Sequence, residues 1–388
     1  MEKMQFCAVL LLSLLTLTLA FMLPRRVVTN PVANRSRWLM AGGTALLALQ
    51  FLLQYNLHLR DMGVTQAVML NLLLFIPSSW LLSMSVLYLQ RQGNVNKRDW
   101  LIGPGVWLFV SLLLLGANII DGQPLLSDTP ELWWAEVIGS VFYTTLQLHY
   151  TYCLNAETRR ISKALDNYYD HTKDGLLQWM RHSIVVLTVM GTFAPLLIFG
   201  HGWPLAAYAL FFFVGLYYMV ICFLCFLVSN DSRQVMVAEQ SALEDNKKRP
   251  VTPNGSVLTV DACSSTTSTG SDDSLSSSDK QRVDYAVSQW TAQNRHLRSG
   301  ITIQTAADEM HIPRYLLTLW LKTTQHELFN PWLTHLRIEA AKRLLTEHPD
   351  WSNDTIAEQC GFSTRNYFQT VFKKQTGMTP TQFIESSH

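Results

Sequence analysis

Hydrophobic and polar positions divide the chain into two parts of different character. Up to about residue 228, long apolar runs alternate with short polar loops, and charged residues are scarce. Beyond that point charged residues are common, and apolar residues recur at the three- and four-residue spacing of amphipathic helices. The pattern predicts an all-α protein made of a transmembrane bundle, a disordered linker and a soluble helical domain.

Seven apolar runs each approach the ~20 residues that a helix needs to cross about 30 Å of hydrocarbon. They occupy residues 4–23, 38–57, 67–89, 100–120, 132–154, 183–199 and 204–228. A backbone in lipid must satisfy its own hydrogen bonds, so these runs predict a seven-helix domain over residues 1–229. The first run is interpreted as a retained helix, because its n-region carries only Lys3; a cleaved signal peptide is the alternative.

The loops between the runs alternate in charge. Residues 24–37, 90–99 and 155–175 are rich in Lys and Arg, whereas the intervening loops carry only Arg60. Positively charged loops stay in the cytoplasm. We therefore expect a multi-pass membrane protein, with its N-terminus outside and its C-terminal domain in the cytoplasm.

Polar residues inside the spans mark candidate functional positions. Glu136, Gln54 and Asn118 are the candidate ligand-sensing residues, in a polar pocket between helices; the alternative is that Glu136 reaches water at the outer interface. No zinc pair, nucleophile elbow or phosphate loop is recognised, so the sequence predicts no enzyme, no metal site and no cofactor. The six cysteines lie mostly in apolar segments and predict no disulfide framework.

Residues 230–280 join the two parts. The stretch 229–248 is polar and predicts a short helix with a modest apolar stripe. Residues 249–280 are dominated by Ser, Thr, Gly and Asp, a composition that buries too little apolar surface to order the chain, and so predict a disordered tether.

Residues 281–388 predict two helix-turn-helix units built on one helical wheel. In the second unit, polar residues cover one half of the last long helix: Arg365, Asn366, Gln369, Thr370, Lys373 and Lys374. Shifting back by 51 residues places Arg314, Tyr315, Thr318 and Lys322 on the same arc, with apolar residues opposite in both helices. Ser363 or Thr364 can cap the second helix.

Such a polar face suits a reader of the DNA major groove. Arg pairs with guanine and Asn or Gln with adenine, while Lys373 and Lys374 are placed for phosphate contacts. The global charge of +1 says little about partners, because the acidic residues of the soluble part nearly offset its cations. The alternative for either helix alone is a solvated face of a bundle.

The stretch "IAEQCGFSTRNYFQTVFKKQTGMTP" closely resembles the C-terminal signature of the AraC/XylS family of bacterial transcription regulators, and "WLTHLRIEAAKRLL" resembles the helix that links that family's two units. The resemblance covers residues 281–386 and implies a seven-helix domain whose two recognition helices enter successive major grooves. It implies base reading by Arg365, Asn366 and Thr370, and by Arg314, Tyr315, Thr318 and Leu319. His311 departs from the usual turn Gly, and the family's usual sugar-binding barrel is missing.

Together with this resemblance, the patterns predict a sequence-specific transcription regulator anchored in the bacterial inner membrane as a multi-pass protein, which couples a membrane signal to gene expression. The expected partners are double-stranded DNA, the lipid bilayer, a small-molecule or membrane signal, a second copy of the chain and, for an activator, RNA polymerase. Two alternatives stay open: a factor released by proteolysis in the linker, and a transporter or enzyme with a regulatory DNA-binding tail.

Overall fold

A computed structural model describes residues 2–22, 30–57, 64–120, 129–170, 174–198, 203–228, 231–247, 275–325 and 327–387. Within these ranges the chain is helical and contains no strand, which confirms the predicted all-α class. The helices are α1 Glu2–Leu17, α2 Pro31–Leu57, α3 Val64–Gln90, α4 Lys97–Ile120, α5 Pro130–Tyr168, α6 Asp174–Ile198, α7 Trp203–Val228, α8 Asp231–Lys247, α9 Ser277–Ala292, α10 Ile303–Glu309, α11 Arg314–Trp320, α12 Phe329–Glu347, α13 Asn353–Gln359, α14 Arg365–Thr376 and α15 Pro380–Ser387.

The helices divide between two units. The first comprises Met1–Arg159 and Gly175–Ser232, and the second comprises Arg160–Asp174 and Arg233–His388. The second unit therefore contains the end of α5 and most of α8 as well as α9–α15. The Ser-rich tether predicted for residues 249–280 lies outside the described residues up to residue 274, and α9 begins within its last part at Ser277.

The first unit contains α1–α7 except the end of α5 and the first residue of α6, and the positions of these helices follow the seven apolar runs. Among the described residues, four helices are long and apolar enough to cross a membrane: Pro31–Leu57, Val68–Gln90, Lys97–Ile119 and Leu210–Val228, with Gln5–Phe21 as a shorter apolar helix. Large apolar side chains lie on the outside of these helices, including Leu108, Leu112, Leu210 and Val214. Polar side chains such as Gln50, Ser78 and Ser85 are buried inside.

Small residues let α2 and α3 approach closely. Ser78 Oγ donates to the Gly43 carbonyl at 2.8 Å, and a Cβ added at Gly43 would lie 2.8 Å from Leu82 Cγ. Further along the same interface, Ser36 Oγ donates to the Ser85 carbonyl at 2.7 Å. Helices associate through close backbone approach and hydrogen bonds from hydroxyl groups where no hydrophobic force drives them together.

In the second unit, α12 joins two hydrophobic cores. Its first half carries Trp332 and Leu333 into a core built with α9, α10 and α11. Its second half carries Ile338 and Ala341 into a core built with α13 and α14. Each core therefore supports one helix-turn-helix unit. The single helix α12 fixes these two helix-turn-helix units relative to each other.

Candidate nucleic-acid interface

The second helix-turn-helix unit consists of α13, a tight turn and α14. Ser352 Oγ accepts the amide of Thr355 at 3.1 Å and begins α13, and Thr364 Oγ1 accepts the amide of Tyr367 at 3.2 Å and begins α14. Thr364 is thus the N-cap that the sequence allowed at Ser363 or Thr364. Gly361 has φ +74°, and a Cβ there would lie 2.3 Å from the Leu297 carbonyl oxygen, so the turn needs glycine on two counts.

The polar face of α14 lies open at the surface of the second unit. Arg365, Asn366, Thr370, Lys373 and Lys374 are exposed and Gln369 is half-buried. The opposite face is held by Phe368 and Phe372, which are fully buried. Arg365 Nη1 lies 3.2 Å from Asp354 Oδ2, but both side chains are at least half exposed, so this ion pair is weak and easily exchanged.

The first helix-turn-helix unit repeats this construction with α10, a turn and α11. Thr302 and Thr305 form a capping box at the start of α10. His311 occupies the left-handed turn position with φ +55°, and the amide of Ile312 returns to the Ala307 carbonyl as that of Phe362 returns to Ala357. The turn that departs from glycine in sequence therefore keeps the same backbone, at a conformational cost to His311.

The polar face of α11, unlike that of α14, is covered. Arg314 and Tyr315 are half-buried, and Thr318 is only 4% exposed. Lys322 is exposed, within a π-helical turn, Leu321–Gln325, that follows α11. Arg314 and Thr318 both contact α8, a segment that the sequence assigned to the linker. Sequence reasoning missed this contact because α8 lies about 70 residues earlier in the chain.

A buried ion pair anchors the linking helix α12. Arg337 is 1% exposed, and its Nη2 lies 3.0 Å from Asp170 Oδ2. The guanidinium also donates to the carbonyls of His296 at 3.0 Å and Arg298 at 2.6 Å. Asp170 Oδ2 accepts hydrogen bonds from the amides of Gly300 and Ile301 at 2.7 and 3.1 Å, so one carboxylate just after the end of α5 organises the entry to α10.

Two further buried groups near α12, His296 and Cys360, have pKa values shifted by their surroundings. Burial, together with the charges of Arg337 and Arg343, lowers the pKa of His296 to about 4, so this histidine is neutral at physiological pH. Burial raises the pKa of the Cys360 thiol to about 12, against the opposing effect of the same two cations. Cys360 is therefore a packing residue and not a reactive thiolate.

The three candidate ligand-sensing residues lie in different surroundings within the first unit. Gln54 Nε2 donates to Asn71 Oδ1 at 2.5 Å, and Asn118 Nδ2 donates to the Leu114 carbonyl at 2.9 Å. Glu136 is fully buried, which disagrees with the alternative that it reaches water at the surface. A cavity of about 20 Å³, room for one water, is lined by Tyr143, Gln147 and neighbouring residues, but by none of the three candidates. Sensing by these three residues stays a prediction.

A cluster that the sequence did not predict brings together Asp99, His149 and Cys153, whose ligand atoms lie within 4.8 Å of one another. His149 and Cys153 are one turn apart on α5, but Asp99 comes from α4, so no sequence spacing marks the set. The Asp99 carboxylate is paired with Arg91, which also lies 2.8 Å from Glu157 Oε1. The positive charge of Arg91 disfavours a metal cation at this position.

Comparison with known proteins adds to this geometry. Residues 306–386 match the model of a family described as a helix-turn-helix domain. The regulatory protein PocR of Salmonella typhimurium is 33% identical over 97 residues, which are 24% of this chain and 32% of that protein. The HTH-type transcriptional activator RhaR of Salmonella dublin is 31% identical over 98 residues, 25% of this chain and 34% of that protein.

The uncharacterised HTH-type transcriptional regulator YijO of Escherichia coli is 36% identical over 91 residues, 23% of this chain and 31% of that protein. The chain thus spans about a third of the length of these relatives. No solved structure matches the chain. The family match and the similarity to these regulators agree with the AraC-type resemblance of the C-terminal part.

Proposed function

From an AraC-type helix-turn-helix domain in a chain that begins with apolar helices, we propose a membrane-anchored, sequence-specific transcription regulator. Residues 1–229 form its membrane domain, and residues 281–388 bind DNA in the cytoplasm. The observation that carries the proposal is the open polar face of α14, which presents Arg365, Asn366 and Thr370 beside one another on a helix whose other face is locked into a core.

The chemistry of this face suits base reading in the major groove. Arg365 at the first position of α14 supplies a forked donor for guanine, and Asn366 supplies the donor and acceptor pair that adenine requires. Lys373 and Lys374 lie two turns further on, where they can hold phosphates and fix the register of the helix. Its counterpart α11 supplies Arg314, Tyr315 and Thr318 for a second groove, and the π-helical turn that follows α11 supplies Lys322.

The membrane location is supported by the inside-out character of the first unit. Apolar side chains such as Leu112 and Leu210 are more than half exposed, while Gln50, Gln54 and Asn71 are buried, and both glutamine amides donate to Asn71 Oδ1. In water this arrangement would leave a large apolar surface uncovered, whereas in a bilayer lipid covers that surface.

We propose that all seven helices cross the bilayer, and that a signal sensed there through Glu136, Gln54 or Asn118 sets the activity of the DNA-binding domain. A second copy of the chain and RNA polymerase complete the proposed partners.

Genome-wide mapping of DNA bound by the full-length protein, with Arg365→Ala alongside, tests the DNA-binding part. We expect defined peaks for the wild type that disappear for Arg365→Ala, while both proteins remain in the membrane fraction. Glu347→Ala, an exposed change at the end of α12, is the matched control and should keep the peaks. Unchanged peaks for Arg365→Ala would show that α14 does not read DNA. A reporter that is active only outside the cytoplasm can be fused after His388. Activity of that reporter would exclude the proposed topology.

A further inference from the structure

The guanidinium of Arg314 is engaged through all three of its nitrogens within the second unit. Its Nε lies 2.8 Å from Asp245 Oδ1, and its Nη2 lies 3.0 Å from the Ser241 carbonyl and 3.3 Å from Glu244 Oε2. Its Nη1 donates to Gln304 Oε1 at 3.1 Å. All three nitrogens therefore have acceptors, and three of the four acceptors come from the last turns of α8.

Thr318, one turn further along α11, contacts the same carboxylate. Its hydroxyl donates to Asp245 Oδ2 at 3.1 Å, so Asp245 bridges two residues of the polar arc. The Arg314 side chain is 11% exposed, whereas its counterpart Arg365 on α14 is 50% exposed. The two recognition helices are built alike, but only one of them presents its reading face.

Carboxylates packed against a recognition helix oppose DNA binding in two ways. An arginine whose donors are occupied cannot also form the paired bonds to guanine that specify a base. In addition, Glu244 and Asp245 place negative charge where phosphates of DNA would have to approach. The Asp245 side chain is largely buried, so its ion pair with Arg314 is screened less than a surface pair.

We propose that α8 is an autoinhibitory helix, which occupies the reading face of α11 in place of DNA through Asp245 and Glu244. This inference rests on the proposed function and adds a regulated state to it. With α8 in place the protein reads one groove through α14; with α8 displaced it reads two through α11 and α14. Only two residues separate the end of α7 at Val228 from the start of α8 at Asp231, so the inhibitory helix follows the last apolar helix directly in the chain.

The test uses the full-length protein in lipid nanodiscs and a library of random-sequence duplexes of about 40 base pairs, long enough for two half-sites one helical turn apart. The wild type, the double variant Asp245→Ala with Glu244→Ala, and the control Glu347→Ala are selected in parallel. We expect the wild type and the control to enrich one sequence block. The double variant should enrich two blocks spaced by about one turn, and bind the two-block duplex roughly tenfold more tightly than the wild type does.

Adding Arg314→Ala to the double variant should remove the gain, which shows that the gain acts through α11. Two equal blocks selected by the wild type, or one block selected by the double variant, would overturn the inhibitory role while leaving DNA binding by α14 intact. Failure of every variant to enrich any sequence would instead contradict the proposed function, and the inhibitory role with it.

Hydrogen exchange on the wild type provides a measurement that needs no variant. Adding the two-block duplex should accelerate exchange of the α8 amides and protect those of α11, because DNA displaces the helix. Continued protection of α8 together with new protection of α11 would also overturn the proposal.

Discussion

Replacing Asp170 by alanine tests whether the segment just after α5 is an integral part of the second unit. The change removes the carboxylate that lies 3.0 Å from Arg337 Nη2 and that accepts the amides of Gly300 and Ile301. Arg337 would remain buried with no anionic partner among the contacts described for it. Breaking a buried pair in this way costs about 3–5 kcal/mol, a large part of the roughly 5–15 kcal/mol that stabilises a typical domain.

Native-state hydrogen exchange of the full-length protein in nanodiscs measures this cost locally. We expect the opening free energy of α10 and α12 to fall by about 3–5 kcal/mol in Asp170→Ala, and to be unchanged in the exposed control Asp350→Ala. Arg337→Met should be destabilising too. Asp170→Ala combined with Arg337→Met should lower the opening free energy by less than the sum of the two single changes, because no uncompensated buried charge remains. A loss below about 1 kcal/mol, or strict additivity, would refute the reasoning.

Three further predictions concern the second unit. His311→Gly should raise its unfolding free energy by up to about 1 kcal/mol by relieving the left-handed backbone, whereas Gly361→Ala should lower it by more than about 2 kcal/mol, both measured by chemical denaturation. Burial and two neighbouring arginines lower the pKa of His296 to about 4, so as the pH falls through about 6.5 the unfolded chain takes up a proton that the folded chain excludes. The contribution of His296 to stability should therefore fall as the pH falls, and be about 2 kcal/mol lower at pH 5 than at neutral pH. Lys373→Gln and Lys374→Gln should each reduce the slope of log affinity against log salt by about 0.9, in anisotropy titrations with duplex DNA.

Each of these predictions has an outcome that contradicts it. Destabilisation by His311→Gly would show that the imidazole makes a contact worth more than the backbone strain. A pH dependence that persists in His296→Gln would assign it to another group. An unchanged salt slope in both lysine variants would place the two lysines away from the phosphates.

The sequence by itself determined the local structure of both parts. Helical spacing of apolar residues depends only on neighbours three and four positions away, so the wheels of α11 and α14 and the helices along the seven apolar runs could be predicted. Thr364 as a cap and Gly361 in the turn follow from equally local chemistry. The resemblance of the C-terminal segment to a family implied a helix-turn-helix domain there, and the family match over residues 306–386 confirmed that domain.

Only the tertiary structure decided which of these surfaces is accessible. The sequence gives Arg314 and Arg365 equivalent places on equivalent helices, yet one contacts α8 and the other lies open. The bond between Arg314 and Asp245 joins residues 69 positions apart, and that between Arg337 and Asp170 joins residues 167 apart. Such partners are chosen by how folded elements pack, and helical periodicity carries no information about them.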